Sequence, residues 1–383
     1  MPLPEQGDVP RWRNDPDLGP DREGDLPQPR AKLPSVCRNT RASGRKRHHL
    51  DYSVSGFIRQ MSIRLGSSVL ETISDYNVLQ TMLWDSQGSR DVQFHSGNLL
   101  EGMHDTQDRT GLAINSSEQF FAIPLISGVL GTLTSKMLPL GMMNNILVIE
   151  LTFADNETAA AITDTNTWVV SDVEYEAVIV QLGAEVDAEI RRLNSSGVRI
   201  GSQTFMSHAN VVPANSTATN LLISSNASSD KTLFTTFRKQ LDVRKKESKS
   251  LTWRVNPFGD TGSWNYSVPG LRIPAKPVIT NVEAYAELQK ALHAFSSIDS
   301  NGLHTKAFWS LAAGGSYIAA HDLERFSHKS DTAESGIDLS SGPVYFEGAF
   351  GATRDDALYV NTFVHADFVL FIDAATGQAQ SLY

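Results

Sequence analysis

Three histidines and one aspartate near the C-terminus have the residue types of an iron-binding site. His365 and Asp367 form a His-X-Asp pair, and His321 and His328 precede it. Two histidines and one carboxylate on one side of an ion bind non-haem iron. In enzymes of that kind the second histidine follows the pair at a distance, whereas only sixteen residues follow Asp367 and none is histidine. We therefore predict no metal site and no cofactor, with His365 and Asp367 flanking the last strand.

Two acidic pairs, Glu174/Glu176 and Asp355/Asp356, have the side chains that glycoside hydrolysis requires. A glycosidase needs two carboxylates that converge on one bond. Alternation along residues 173–182 places Glu174 and Glu176 on the solvent side of a strand. The chain also lacks a Gly-X-Ser-X-Gly nucleophile motif and a complete phosphate-binding loop. We therefore predict that the protein is not an enzyme. A soluble carbohydrate-binding or glycosidase-like β-sandwich remains an alternative.

Five aromatic residues have the types that stack on sugars or bases: Trp253, Trp264, Trp309, Phe258 and Tyr266. Aromatic side chains also bury large apolar areas in cores and at subunit interfaces, where they are enriched. In a chain rich in strands the second use is the more common one. We therefore predict that these residues belong to the core or to an interface between subunits.

The elements that position these residues include two similar helix-like segments. Four residue types recur at the same spacing, as Tyr76, Leu79, Gln80 and Leu83 and again as Tyr285, Leu288, Gln289 and Leu292. An internal repeat of this kind indicates two related domains. The first helix is predicted to begin at Ser67 or Ser68, with Glu71 completing its N-terminal cap.

Short apolar runs separated by Gly, Pro, Asn and Ser surround both helices, which is typical of strands in a sandwich or barrel. Residues 146–155 and 173–182 have the β-branched composition of buried strands. The fold class is therefore predicted to be all-β with few helices.

Composition limits the function further. The chain has 383 residues, 40% of them hydrophobic and 20% charged, with a net charge of -10. Such an acidic balance argues against a protein that coats nucleic acid with a basic surface. The single cysteine, Cys37, excludes a disulfide framework within the chain. The longest apolar neighbourhood, residues 120–151, is interrupted by prolines and a lysine, so no membrane span is predicted.

Residues 1–50 are rich in Pro, Arg and Asp and carry almost no apolar periodicity. Such a segment cannot bury a core, and we predict that it is disordered. Its second half is basic, and Arg41, Arg45, Lys46 and Arg47 form the densest run. This run is our candidate for an arm that contacts nucleic acid, with a nuclear-localisation signal or a solvated tail as alternatives.

The order of several segments over residues 55–383 resembles the double jelly-roll major capsid proteins of adenoviruses, tectiviruses, virophages and polinton-like viruses. In the first half the resemblance lies in residues 70–85, 121–131, 136–155 and 173–182. In the second half it lies in residues 229–238, 268–278, 283–293, 335–346 and 365–378. These are packing and turn patterns, so their order carries the resemblance.

The resemblance implies two tandem antiparallel jelly rolls, each with a helix in one loop. The domains would be a disordered basic and Pro-rich tail at 1–50, a first roll at 51–194 and a second roll at 195–383. The chain departs from this pattern before the first helix, where only residues 52–65 resemble strands, against 198–280 before the second. We therefore expect a first roll that lacks its early strands.

The resemblance also implies a structural protein of the virion. Homotrimers with a pseudo-hexameric outline would tile an icosahedral shell, assembled in the cytoplasm or nucleus of a host cell. The partners would be other copies of the chain, minor and penton capsid proteins, and packaged nucleic acid at the N-terminal tail. A decayed viral copy without assembly activity is a further alternative. The candidate residues for the trimer interface are Ile126, Leu130, Leu133, Met137, Leu138 and Met142.

Overall fold

The structure is a computed structural model of the whole chain. The residues it describes are 30–35, 48–87, 93–103, 110–114, 119–134, 136–155, 160–161, 170, 172–225, 227–243, 251, 254–292, 315–324, 336–340 and 342–383. We call residues 30–193 the first half and residues 198–383 the second half.

The first half contains nine strands and three helices among its described residues. The strands are β1 (Arg30–Ser35), β2 (His48–Asp51), β3 (Ile58–Leu65), β4 (Ser68–Ser74), β5 (Thr110–Ile114), β6 (Gln119–Pro124), β7 (Leu147–Phe153), β8 (Ala160–Ala161) and β9 (Glu174–Glu176). The helices are α1 (Tyr76–Gln87), α2 (Asn98–Glu101) and α3 (Ala184–Leu193). One π turn, Gln93–Gly97, precedes α2, and 3-10 turns lie at Val54–Phe57 and Leu140–Met142.

The second half contains nine strands and one helix among its described residues. The strands are β10 (Val198–Val212), β11 (Ala218–Ile223), β12 (Asp230–Lys239), β13 (Ser263–Val268), β14 (Leu271–Val278), β15 (Ala319–Asp322), β16 (Val344–Ala349), β17 (Leu358–Ile372) and β18 (Ala379–Leu382). The helix is α4 (Asn281–Ala291).

All of the described strand pairings are antiparallel, and each joins strands of the same half. The first half forms three sheets, with strand orders β6-β1-β9, β5-β2-β8 and β4-β3-β7. The second half forms one sheet of order β10-β17-β12-β15, with β18 also on β17, and another of order β11-β16-β13-β14. The longest ladder runs from Val198 opposite Ile372 to Val212 opposite Leu358.

The two sheets of the second half pack face to face through aromatic residues. The ring of Phe237 on β12 lies 5.5 Å from that of Phe346 on β16. The hydroxyl of Tyr266 on β13 is 2.9 Å from Thr235 Oγ1 on β12. Trp264 donates from its indole nitrogen to the hydroxyl of Tyr317 at 2.9 Å, so its one polar group is satisfied in the core.

The predicted start of the first helix is wrong. Residues Ser68–Ser74 form strand β4, which pairs with β3, and α1 begins only at Tyr76. Gly66 has a positive φ of 58°, which suits the tight turn between β3 and β4. Glu71 is therefore a buried strand residue and takes no part in a helix cap.

Helix α4 begins with the capping box that the sequence analysis predicted for the first helix-like segment. Thr280 Oγ1 accepts from the backbone N–H of Glu283, and the Glu283 carboxylate accepts from the N–H of Thr280. This reciprocal capping box fixes where α4 begins. The repeated residues occupy different places in the two helices, because Tyr76 is the first residue of α1 and Tyr285 the fifth of α4.

Strand pairing extends into the segment that the sequence assigned to a disordered tail. Residues Arg30–Ser35 pair with β6 and β9, and His48–Asp51 pairs with β5 and β8. These strands are held by backbone hydrogen bonds, which need no apolar alternation in the sequence. The rest of the predicted tail, 1–29 and 36–47, lies outside the described residues.

Two runs predicted to be buried strands are exposed, the first on one face and the second along most of its length. Residues Leu147–Phe153 form β7, but every second side chain faces solvent, including Val148. Of residues 173–182, only Glu174–Glu176 form a strand. Composition alone predicted burial because β-branched residues are common in strands, whether or not another layer covers them.

Candidate functional site

The histidines and the aspartate considered for metal binding have separate partners. His365 lies on β17, where Nε2 is 3.1 Å from Gln203 Oε1 and the ring stacks on Phe205. Asp367 is buried two residues further along the same strand. The pair therefore lies within β17, whereas the sequence prediction placed it beside the last strand. His321 Nδ1 is 2.9 Å from Glu287 Oε2. His328 lies outside the described residues.

Across the described ranges, no three His, Cys, Asp or Glu side chains form a group that could hold a metal ion. The acidic pairs are also far from a glycosidase geometry. Glu174 and Glu176 are both exposed, as the alternation predicted. Asp356 is bound to Lys239, with 2.9 Å between Oδ2 and Nζ, and Asp355 is exposed in the same loop.

The aromatic residues that the structure describes belong to the core, as predicted. Phe258, Trp264 and Tyr266 are all buried. Their rings pack on Phe346, so none of the three offers a face to a ligand. Trp253 and Trp309 lie outside the described residues.

The six residues predicted for the trimer interface are distributed between core and surface. Ile126 and Met142 are buried in the core of their own chain. Leu130, Leu133 and Leu138 are partly buried against the same core. Met137 is the one of the six with a largely exposed side chain.

The segment that contains Ile126 is buried because it crosses strand β10. The N–H of Ile126 donates to the hydroxyl of Tyr76 at 2.8 Å. Ser202 Oγ donates to the carbonyl of Gly128 at 2.5 Å. A Cβ on Gly128 would lie 2.1 Å from the carbonyl oxygen of Gln203, so only glycine permits this approach.

Glu71 anchors this crossing from the first half. Its carboxylate accepts from the N–H of Gly128 at 3.0 Å, from Ser127 Oγ and from Thr204 Oγ1 at 2.6 Å. Burial raises the pKa of Glu71, and these hydrogen bonds oppose that rise. The carboxyl group thus joins β4 to both the crossing segment and β10.

One run of exposed apolar residues was missed at the sequence level. Residues 178–182 belong to no helix or strand, and Val178, Ile179, Val180 and Leu182 are all exposed; the Ile179 side chain is 76% exposed. Helix α3, which follows directly, has no buried residue. A contiguous apolar run of this kind marks an interaction surface. We call residues 178–193 the apolar flank.

A polar contact joins the apolar flank to the rest of the first half. Arg191 on α3 donates to the carbonyl of Gly141 at 2.7 Å, and within the flank it donates to Asp187 Oδ2 at 2.8 Å. Three further apolar residues close to Gly141 in the sequence are also exposed: Leu140, Ile146 and Val148. The helix is therefore held in place without burying its own apolar side chains.

A second buried acid gives the first half a pH-dependent stability. Burial raises the pKa of the Glu101 carboxyl to about 8, although the side chain of Gln80 donates to it at 3.3 Å. The ordinary pKa of 4.5 applies when the chain unfolds. Because the folded form holds the proton more tightly, this stability is complete below pH 4.5 and is lost as the pH rises through about 8.

We expect Glu101→Gln to flatten this dependence. The wild-type protein should lose up to roughly 1.4 kcal/mol per pH unit from this group across that window, and the variant should not. Asp230, whose pKa burial raises to about 7, contributes equally to both proteins and cancels in the difference. Denaturant unfolding at several pH values measures the effect.

Glu189→Gln is the matched control for this experiment. Its carboxylate is exposed, and its hydrogen bonds with Arg192 lower its pKa. It therefore titrates below the window and should leave the wild-type curve unchanged. Equal slopes for Glu101→Gln and wild type would contradict the assignment.

The predicted nucleic-acid arm, Arg41, Arg45, Lys46 and Arg47, lies outside the described residues. In the part of the chain that the structure describes, no helix is both long and apolar enough to cross a membrane.

Comparison with solved structures identifies the fold. The chain superposes on a capsid chain of the virus PBCV-1 with a TM-score of 0.61, at 11% identity, over 95% of this chain and 91% of that one. The PBCV-1 protein VP54, fitted into a reconstruction of the virophage Sputnik, gives 0.58 at 11% identity over the same shares. The mavirus major capsid protein gives 0.45 at 9% identity, over 93% and 82%. No protein-family model and no curated protein matches the chain. The predicted double jelly-roll fold is confirmed.

Proposed function

We propose that the protein is a major capsid protein that forms homotrimeric, pseudo-hexameric capsomers, which tile an icosahedral shell. The observation that carries this proposal is the double jelly-roll fold, which the chain shares with the PBCV-1 capsid protein over most of both lengths. In this role the protein is structural and not an enzyme. Its place is the virion, after assembly in the cytoplasm or nucleus of a host cell.

The apolar flank supports self-association. Four apolar side chains within five consecutive residues, 178–182, face solvent in the single chain. Burying such side chains stabilises an interface by about 1.5–3 kcal/mol each. We propose that a second copy of the chain covers the apolar flank. In a closed ring of identical chains, one such contact is repeated around the symmetry axis.

The division into rolls at 51–194 and 195–383 is part of the proposal, with β1 and β2 added to the first roll. Strand pairing within each half supports it. Minor and penton capsid proteins would bind the assembled trimers. The basic run from Arg41 to Arg47 would contact packaged nucleic acid, an interaction that weakens steeply with salt.

The solution mass of the purified protein tests the proposal. Size-exclusion chromatography with light scattering should give a species near three times 41.9 kDa. A concentration-independent monomer would contradict the capsomer. It would favour the carbohydrate-binding alternative, which binding to a sugar array would then test directly.

A further inference from the structure

Lys231 is buried in the second half between two carboxylates. Its Nζ lies 3.1 Å from Asp367 Oδ1 and 3.3 Å from Glu324 Oε1. The three side chains are only 2%, 9% and 6% exposed. Strand β12 carries a second lysine that forms an ion pair, Lys239. Its partner is Asp356, and both side chains of that pair are partly exposed to solvent.

A β-bulge places Lys231 in this position. Asp230 lies opposite Ala366 on β17, and Thr232 lies opposite His365, so Lys231 is the extra residue between them. A bulge re-aims the side chain of its extra residue. The N–H of Asp367 also donates to the carbonyl of Ser229 at 3.0 Å, which fixes the two strands beside the amine.

The two oxygens of Asp367 have different partners. Oδ1 faces the Lys231 amine, whereas Oδ2 accepts a hydrogen bond from Ser229 Oγ at 2.8 Å. Ser229 Oγ is itself oriented by the N–H of Gly336, at 3.2 Å. A fixed donor on one oxygen of a carboxyl group polarises its carbon and stabilises negative charge that develops there.

The arrangement favours a reaction that removes charge. One ammonium and two carboxylates in a dry environment carry a large desolvation cost. Joining Lys231 and Asp367 covalently would remove one charge of each sign from this environment. The Lys231 amine is held 3.1 Å from an oxygen of the Asp367 carboxyl group. Such positioning replaces an encounter in solution, which accelerates reactions between the two groups by many orders of magnitude.

We propose that Lys231 and Asp367 join to form an isopeptide bond within the chain. The lone pair of Nζ attacks Cγ of the Asp367 carboxylic acid and forms the N–C bond. The C–O bond to the leaving oxygen then breaks. That oxygen departs as water, with the proton of the acid and one from the amine. Glu324 accepts the amine proton and returns it to the leaving oxygen, and Ser229 Oγ stabilises the oxyanion between these steps.

The intact mass of the folded, full-length protein tests this proposal under denaturing conditions. The mass should be lower than that of the sequence by one water, after N-terminal processing is accounted for. Peptide mapping should recover a branched peptide that joins Lys231 to Asp367. A wild-type mass equal to that of the sequence would overturn the proposal, and so would a water loss that maps elsewhere.

Three variants identify the roles of the residues. Neither Lys231→Arg nor Glu324→Gln should lose the water, so each should have the full mass of its own sequence. The first lacks the amine nucleophile, and the second lacks the carboxylate that relays the proton. Lys239→Arg is the matched control and should still lose one water. If Glu324→Gln still loses one water, Glu324 is not the proton relay. If Lys239→Arg no longer loses the water, the bond involves Lys239 and not Lys231. The wild-type mass decides the bond itself even where a variant does not fold.

Discussion

Asp85→Asn is expected to lower the free energy of unfolding by about 3–5 kcal/mol, because it leaves a buried cation without its anion. Asp85 lies in α1 of the first half, and its partner is Arg254, between β12 and β13 of the second half. Both side chains are fully buried. Denaturant unfolding at a fixed protein concentration measures the loss.

Arg254 is held by the backbone as well as by Asp85. Its N–H donates to the carbonyl of Gly315 at 2.7 Å, and the N–H of Gly315 donates back at the same distance. These bonds fix the main chain at Arg254, so the side chain starts from a buried position. Nearby, Arg238 donates to Asn361 Oδ1 at 2.7 Å, and Asn361 donates to Asp75 Oδ2 at 2.7 Å. Acids of the first half thus contact, directly or through Asn361, cations of the second.

Two controls separate the lost ion pair from other effects. Asp187→Asn breaks the exposed pair between Asp187 and Arg191 and should cost less than about 1 kcal/mol. The double variant Asp85→Leu with Arg254→Met removes both charges and should recover most of the stability, as apolar replacements of buried pairs do. An Asp85→Asn variant as stable as wild type would show that the pair does not hold the two halves together.

Ile179→Asp is expected to dissociate the proposed trimer. Residues at the centre of an interface contribute about 2 kcal/mol or more when truncated. That loss corresponds to roughly thirtyfold in each association constant. A charge that must be desolvated adds to it. Light scattering over a range of protein concentrations measures the shift toward monomer.

The variant should leave the folded chain itself intact, because Ile179 makes little contact within its own chain. Surface changes of this kind alter the free energy of unfolding by about 0.5 kcal/mol or less. Leu241→Asp is the matched control, since Leu241 is 71% exposed and lies between the polar residues Gln240 and Asp242. The trimer should survive in that variant. Trimers that persist in Ile179→Asp would exclude the apolar flank as the contact.

Much of the fold could be predicted from the sequence. Short apolar runs between turn residues indicated an all-β chain, and the resemblance to double jelly-roll major capsid proteins implied two jelly rolls. Alternation around Glu174 placed two acids in solvent, and the aromatic composition assigned Trp264 and Tyr266 to the core or to a subunit interface. These features depend on neighbours within a few residues, or on composition, and both are readable in a single chain.

The tertiary structure alone decided which apolar runs are covered and which polar groups meet. Residues 68–74 form a strand that pairs with β3, and the Glu71 side chain finds partners 57 and 133 residues away, at Gly128 and Thr204. Residues 178–182 stayed exposed because no layer formed by the described residues covers them. Lys231 meets Asp367 through a bulge that local periodicity does not encode. Burial and polar contacts depend on residues distant in sequence, so they follow only once the sheets have been packed.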